Sequence, residues 1–62
     1  MASKRLSQAQ TLTTVLQMTK AERNDNEALF DTLWERLVTA YGDTASEVAY
    51  AAEMELKAAG RL

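Results

Sequence analysis

The sequence contains no cysteine, no histidine and no proline, and it has two glycines in 62 residues. Each absence removes a class of structure or chemistry. Without cysteine there is no disulfide to staple a small domain, and without histidine as well the usual sulfur and nitrogen ligands of a zinc site are missing. Catalysis loses its commonest general base near neutral pH and its most reactive nucleophile. The serines, Ser3, Ser7 and Ser46, have no base partner identifiable from sequence. Glu53 and Glu55 stand two apart, a spacing that points side chains in different directions on a helix. The run Asp25, Asn26, Glu27 lacks the glycine that a calcium loop needs at its sixth position, where Phe30 stands. The sequence therefore predicts no enzyme, no metal and no cofactor.

Long apolar runs are also missing. Nothing approaches the roughly 18 to 20 residues of a membrane-spanning helix. After Lys4 and Arg5 comes the polar run Ser7, Gln8, Ala9, Gln10, Thr11 instead of the apolar centre of a signal peptide. A cytoplasmic chain with no membrane partner is expected, since an interfacial helix would show a face rich in lysine and arginine. The net charge of −2 lacks the basic excess of a dedicated nucleic-acid binder. A chain this short buries only about 60% of its unfolded surface. With no covalent or metal staple, regular helix packing or self-association has to supply the margin.

What is present is helical periodicity between clear stops. Gly42 and Gly60 each follow an apolar-periodic run and suit the left-handed residue that closes a helix. Three capping-box patterns mark candidate starts: Ser7 with Gln10, Thr19 with Glu22, and Thr44 with Glu47. These signals predict helices from about Ser7 to Met18, from about Lys20 or Asn26 to Tyr41, and from about Ala45 to Ala59. The polar cluster Asn24, Asp25, Asn26 favours caps and turns and is expected to break or kink the chain. In the first segment Thr11, Leu12, Thr13, Thr14 and Val15 also suit a strand. Helix is preferred because adjacent Val15 and Leu16 spoil the alternation and the Ser7 box precedes them. Ala9, Leu12, Val15 and Leu16 would then form its apolar side. The expected fold is all-α: a small three-helix bundle, or a helical hairpin plus a short N-terminal helix, completed by dimerisation. One domain spans 1–62, with 1–6 as a flexible arm.

The second helix is the most strongly patterned. Leu29, Phe30, Leu33, Trp34, Leu37, Val38, Ala40 and Tyr41 recur at spacings of three and four and cover close to half its circumference. One neighbour needs a stripe of only about 100°, so this helix is expected between two others or against a second copy. Glu27, Asp31 and Glu35 repeat every four residues beside Trp34 and Val38, and such like-charge stacking mildly destabilises a helix. The ridge is either an ordinary solvated face or the border of a docking site for a basic partner. In the third helix Ala45, Val48, Ala49, Ala52, Leu56 and Ala59 share one arc, the expected core face. Tyr50, Met54, Ala51 and Ala58 fall on a second arc, interrupted by Glu47, which is either open surface or an interface.

The segment Gly42, Asp43, Thr44, Ala45, Ser46, Glu47, Val48 resembles the turn into the second helix of ribbon-helix-helix repressors. It resembles the glycine turn of helix-turn-helix proteins more weakly. The stretch from Leu37 through Ala52 that prompts the comparison is about a quarter of the chain. The resemblance implies a small DNA-binding regulator with a groove-reading strand near Thr19 to Arg23. There Lys20 and Arg23 are basic but Glu22 intervenes. As a recognition helix, Thr44, Ala45, Ser46, Glu47 offers no arginine or lysine to contact phosphate or guanine. Lys4 and Arg5 would add a small basic arm.

These readings converge on a small non-catalytic helical protein that binds another protein as a regulator, inhibitor or adaptor and associates with itself. The expected partner-binding residues are Glu27, Asp31, Trp34, Glu35, Val38, Tyr41, Tyr50 and Met54. A nucleic-acid partner is the second reading.

Overall fold

The computed structural model describes residues 6–62, whose backbone is helical apart from caps and turns and contains no strand. Helix α1 spans Gln8–Arg23. It starts at the expected capping box: Gln10 N donates to Ser7 Oγ at 3.1 Å, and Ser7 N donates to Gln10 Oε1 at 2.9 Å. The β-branched residues that also suited a strand stay helical. Thr14 Oγ1 donates to the Gln10 carbonyl and Thr19 Oγ1 to the Val15 carbonyl, so both hydroxyls are satisfied inside the helix. With its hydroxyl turned back, Thr19 caps nothing. The helix continues past the expected end at Met18 through the helix-compatible residues Lys20, Ala21, Glu22 and Arg23.

The polar cluster does break the chain. Asp25 N donates to the Glu22 carbonyl at 3.1 Å and Asn26 N to the Ala21 carbonyl at 2.8 Å, the paired bonds of a Schellman closure. The residue that turns the corner is Asp25, with φ 55°, where glycine is usual. Aspartate is among the few side chains that tolerate this region. Helix α2, Glu27–Tyr41, begins at once, with Asn26 Oδ1 accepting from Leu29 N at 3.2 Å.

At its other end α2 meets Gly42, with φ 62° and ψ −130°. This is not the left-handed helical closure expected there; the ψ value lies in a region open to glycine because it has no Cβ. The chain passes directly into a 3₁₀ turn, Gly42–Thr44, and then α3, Ala45–Ala58. From Glu27 onward α2, the turn and α3 form one bent helical run. Thr44 Oγ1 donates to the Tyr41 carbonyl at 2.9 Å, so the expected Thr44–Glu47 capping box does not form. Gly60, with φ 73°, closes α3 as expected: Gly60 N donates to the Lys57 carbonyl and Arg61 N to the Leu56 carbonyl. Ala59, expected on the core face, is instead the exposed C-cap residue.

Helix α1 packs against both α2 and α3. Leu37 and Leu56 lie at the centre, fully buried, joined by Val15, Met18, Leu33, Ala45 and Ala52. Each of those leucines contributes about 1.5–3 kcal/mol by leaving water. The buried face of α1 is Thr11, Thr14, Val15, Met18 and Ala21. It is rotated from the expected one: Leu12 and Leu16 are half-buried and Ala9 is exposed. The rotation is tolerable because the buried hydroxyls of Thr11 and Thr14 are both hydrogen-bonded, which offsets the cost of taking them out of water. Among the described residues no buried side-chain nitrogen or oxygen lacks a partner. The proposed flexible arm and its Lys4 and Arg5 lie outside the described residues, except for Leu6, which is half-buried against the core. No helix among the described residues is long and apolar enough to cross a membrane.

Candidate functional site

Phe30 and Trp34, four residues apart, lie on one flank of α2. Both are half-buried and rest against the core. Across from them α3 presents Ala49 and Tyr50, and α1 contributes Val15, Met18 and Thr19. Together they line a surface groove of about 270 Å³ with Glu22 and Glu53 at its rim. Its floor is apolar and its walls include three aromatic rings. All three helices build it, so its shape depends on the tertiary fold.

A second recess, of about 320 Å³, opens at the α1–α2 turn. It is lined by Ala21, Glu22, Asp25, Asn26, Glu27, Phe30 and Asp31. Glu22 and Phe30 line both recesses, so the aromatic groove runs into an acidic one. Farther along α2, Asp31 and Glu35 flank a shallow depression with Thr32. Six carboxylates therefore border one continuous surface: Glu22, Asp25, Glu27, Asp31, Glu35 and Glu53. Among the described residues no group of three or more acidic side chains is arranged to hold a metal ion.

The residues singled out from sequence are distributed over this surface and beyond it. Trp34 and Tyr50 come together in the groove, and Glu27, Asp31 and Glu35 form its acidic extension. Val38, 41% exposed, stands one turn beyond Trp34; Met54, 49% exposed, stands one turn beyond Tyr50, which is 65% exposed. Tyr41 lies elsewhere, in a separate groove with Gln8, Thr11, Leu12, Val48, Ala51, Ala52 and Glu55. Its hydroxyl is 2.7 Å from Thr11 Oγ1 and donates to the Leu6 carbonyl at 3.2 Å. It therefore bonds within the chain.

Glu22, Phe30 and Glu53 were not among the expected binding residues. Glu53 follows Tyr50 by three positions and Ala49 by four, and Phe30 precedes Trp34 by four. That spacing was the available signal. The placement of Glu22 depends on how α1 crosses α2, which periodicity within one helix does not encode.

The features implied by the repressor resemblance are arranged differently. Thr19 to Arg23, the place of the groove-reading strand, is the last part of α1. The expected ribbon is not formed, because this segment has its backbone hydrogen bonds within the helix. The turn into α3 carries Asp43 and the first turn of α3 carries Glu47. Carboxylates at that position would repel a phosphate backbone. Compared with known protein families, with curated proteins and with solved structures, the chain matches none.

Proposed function

We propose that this chain is a small non-catalytic regulator, inhibitor or adaptor that associates with itself and docks another protein on the groove of Phe30, Trp34 and Tyr50. The carrying observation is the continuity of that aromatic groove with the acidic recess at the α1–α2 turn, through Glu22 and Phe30. Half-buried aromatics held by a packed core are favourable anchors, because they bury large area and lose little rotamer freedom. The carboxylate border suits a partner segment that pairs apolar side chains with lysine or arginine. It would steer such a segment inward and align it.

Trp34 rests against the core, so its removal would mix folding with binding. The exposed ridge separates the two. Asp31→Lys combined with Glu35→Lys is expected to leave helicity unchanged and to weaken the complex with a partner captured from the native host by about tenfold at low salt. Unchanged affinity at low salt would remove the acidic border from the binding surface.

A further inference from the structure

On the outer side of α3, Glu47, Tyr50, Met54 and Lys57 recur at spacings of three, four and three, the repeat of a coiled-coil seam. All four are exposed, Tyr50 at 65% and Met54 at 49%. The core face of the same helix is the stripe Ala45, Ala52 and Leu56, so this seam is not needed to hold the chain's own fold together. Its order along the helix is acid, apolar, apolar, base. That order is self-complementary in one orientation.

We infer that the seam pairs with α3 of a second copy in an antiparallel arrangement. The register that sets Tyr50 against the partner's Met54 also sets Glu47 against the partner's Lys57, and a two-fold axis repeats both contacts. Aromatic–thioether contacts at the centre are favourable, and the opposed charges close each end. A parallel pairing in register would set Glu47 against the partner's Glu47 and Lys57 against the partner's Lys57, so charge selects the antiparallel form. The neighbouring carboxylates do not disturb it. Glu53 is half-buried at the rim of the Trp34 groove, and Glu55 accepts from Gln8 Nε2 at 3.0 Å on the other flank.

This pairing rests on the proposed self-associating docking protein and names the surface by which two copies meet. It shares Tyr50 with the docking groove but uses none of the ridge Glu27, Asp31, Glu35, and neither Glu47 nor Lys57 lines that groove, so loss of partner docking and loss of self-association are read by separate charge variants. The test is sedimentation of the full chain over a wide concentration range for wild type, Glu47→Lys, Lys57→Glu and the double exchange, with helicity followed by circular dichroism. Wild type is expected to dimerise, and each single reversal to weaken the dimer on the order of tenfold, since symmetry doubles every altered contact. The double exchange is expected to restore wild-type affinity. A wild type that is monomeric at every concentration overturns the pairing, as do single reversals without effect or a double exchange that fails to recover. If a single variant loses helicity, the double exchange decides alone: a dimer supports the seam and a monomer overturns it.

Discussion

Tyr41 ties three segments together through one oxygen. Its hydroxyl donates to the Leu6 carbonyl, which leaves the Thr11 hydroxyl to donate to it, so the chain before α1, α1 itself and the end of α2 share one short hydrogen-bonded relay. Thr11 is buried, and removing the phenolic oxygen would strand its hydroxyl. Tyr41→Phe is expected to cost about 1–2 kcal/mol. Thr11→Val in the Tyr41→Phe background should cost less than it does alone, because the unsatisfied group is then gone. Urea denaturation of the four species of this cycle measures the coupling, expected at about 1 kcal/mol; strict additivity would show that the relay is not made. This detail was not legible in the sequence. Tyr41 fitted an apolar periodicity and read as a docking aromatic, while Thr11 and Thr14 read as polar or strand-prone. Their burial follows from hydrogen bonds that only the assembled helices provide.

The same capping pattern has two outcomes at the level of elements, and backbone conformation separates them. Ser7 sits at φ −68° and ψ 165°, the extended geometry from which a side chain reaches the free N–H groups of a helix start. Thr44 sits at φ −91° and ψ 3°, because the chain arrives there already coiled in the 3₁₀ turn. Ser7→Ala is therefore expected to destabilise the protein by about 1 kcal/mol. Thr44→Ala is expected to stay within about 0.5 kcal/mol of wild type, since its hydroxyl caps no N–H of α3 and its one bond, to the Tyr41 carbonyl, is exposed to water. Paired thermal melts check both, and equal losses would contradict the distinction. Helix number and type were legible from periodicity, and Gly42 and Gly60 both fell at helix ends. The end of α1 was less legible: its stop is made by Asp25, and a chain closed by aspartate lacks the glycine signal.

At the scale of the whole fold, the described residues extend about 36 × 27 × 17 Å across their Cα positions, with a core built largely of small and medium side chains around Leu37 and Leu56. Three short helices can cover only part of each other's apolar faces. Leu29, Val38, Tyr50 and Met54 are left exposed, and Phe30 and Trp34 half-covered. The sequence revealed this excess of apolar positions and the acidic ridge beside it, because both follow from spacing within a single helix. It did not reveal which of them would meet across helices. Trp34 and Tyr50 come together, Tyr41 does not, and Glu22 joins from α1.

The chain has one tryptophan, and it lies in the proposed docking groove. Its emission is therefore the most direct report on whether a partner occupies that groove. With the captured host partner added to saturation, Trp34 is expected to emit at shorter wavelength and to become shielded from an aqueous quencher, with both changes reaching half their full size at about tenfold higher partner concentration in the Asp31→Lys, Glu35→Lys variant at low salt. A saturated complex in which Trp34 emits and is quenched as in the free chain would contradict docking at this groove.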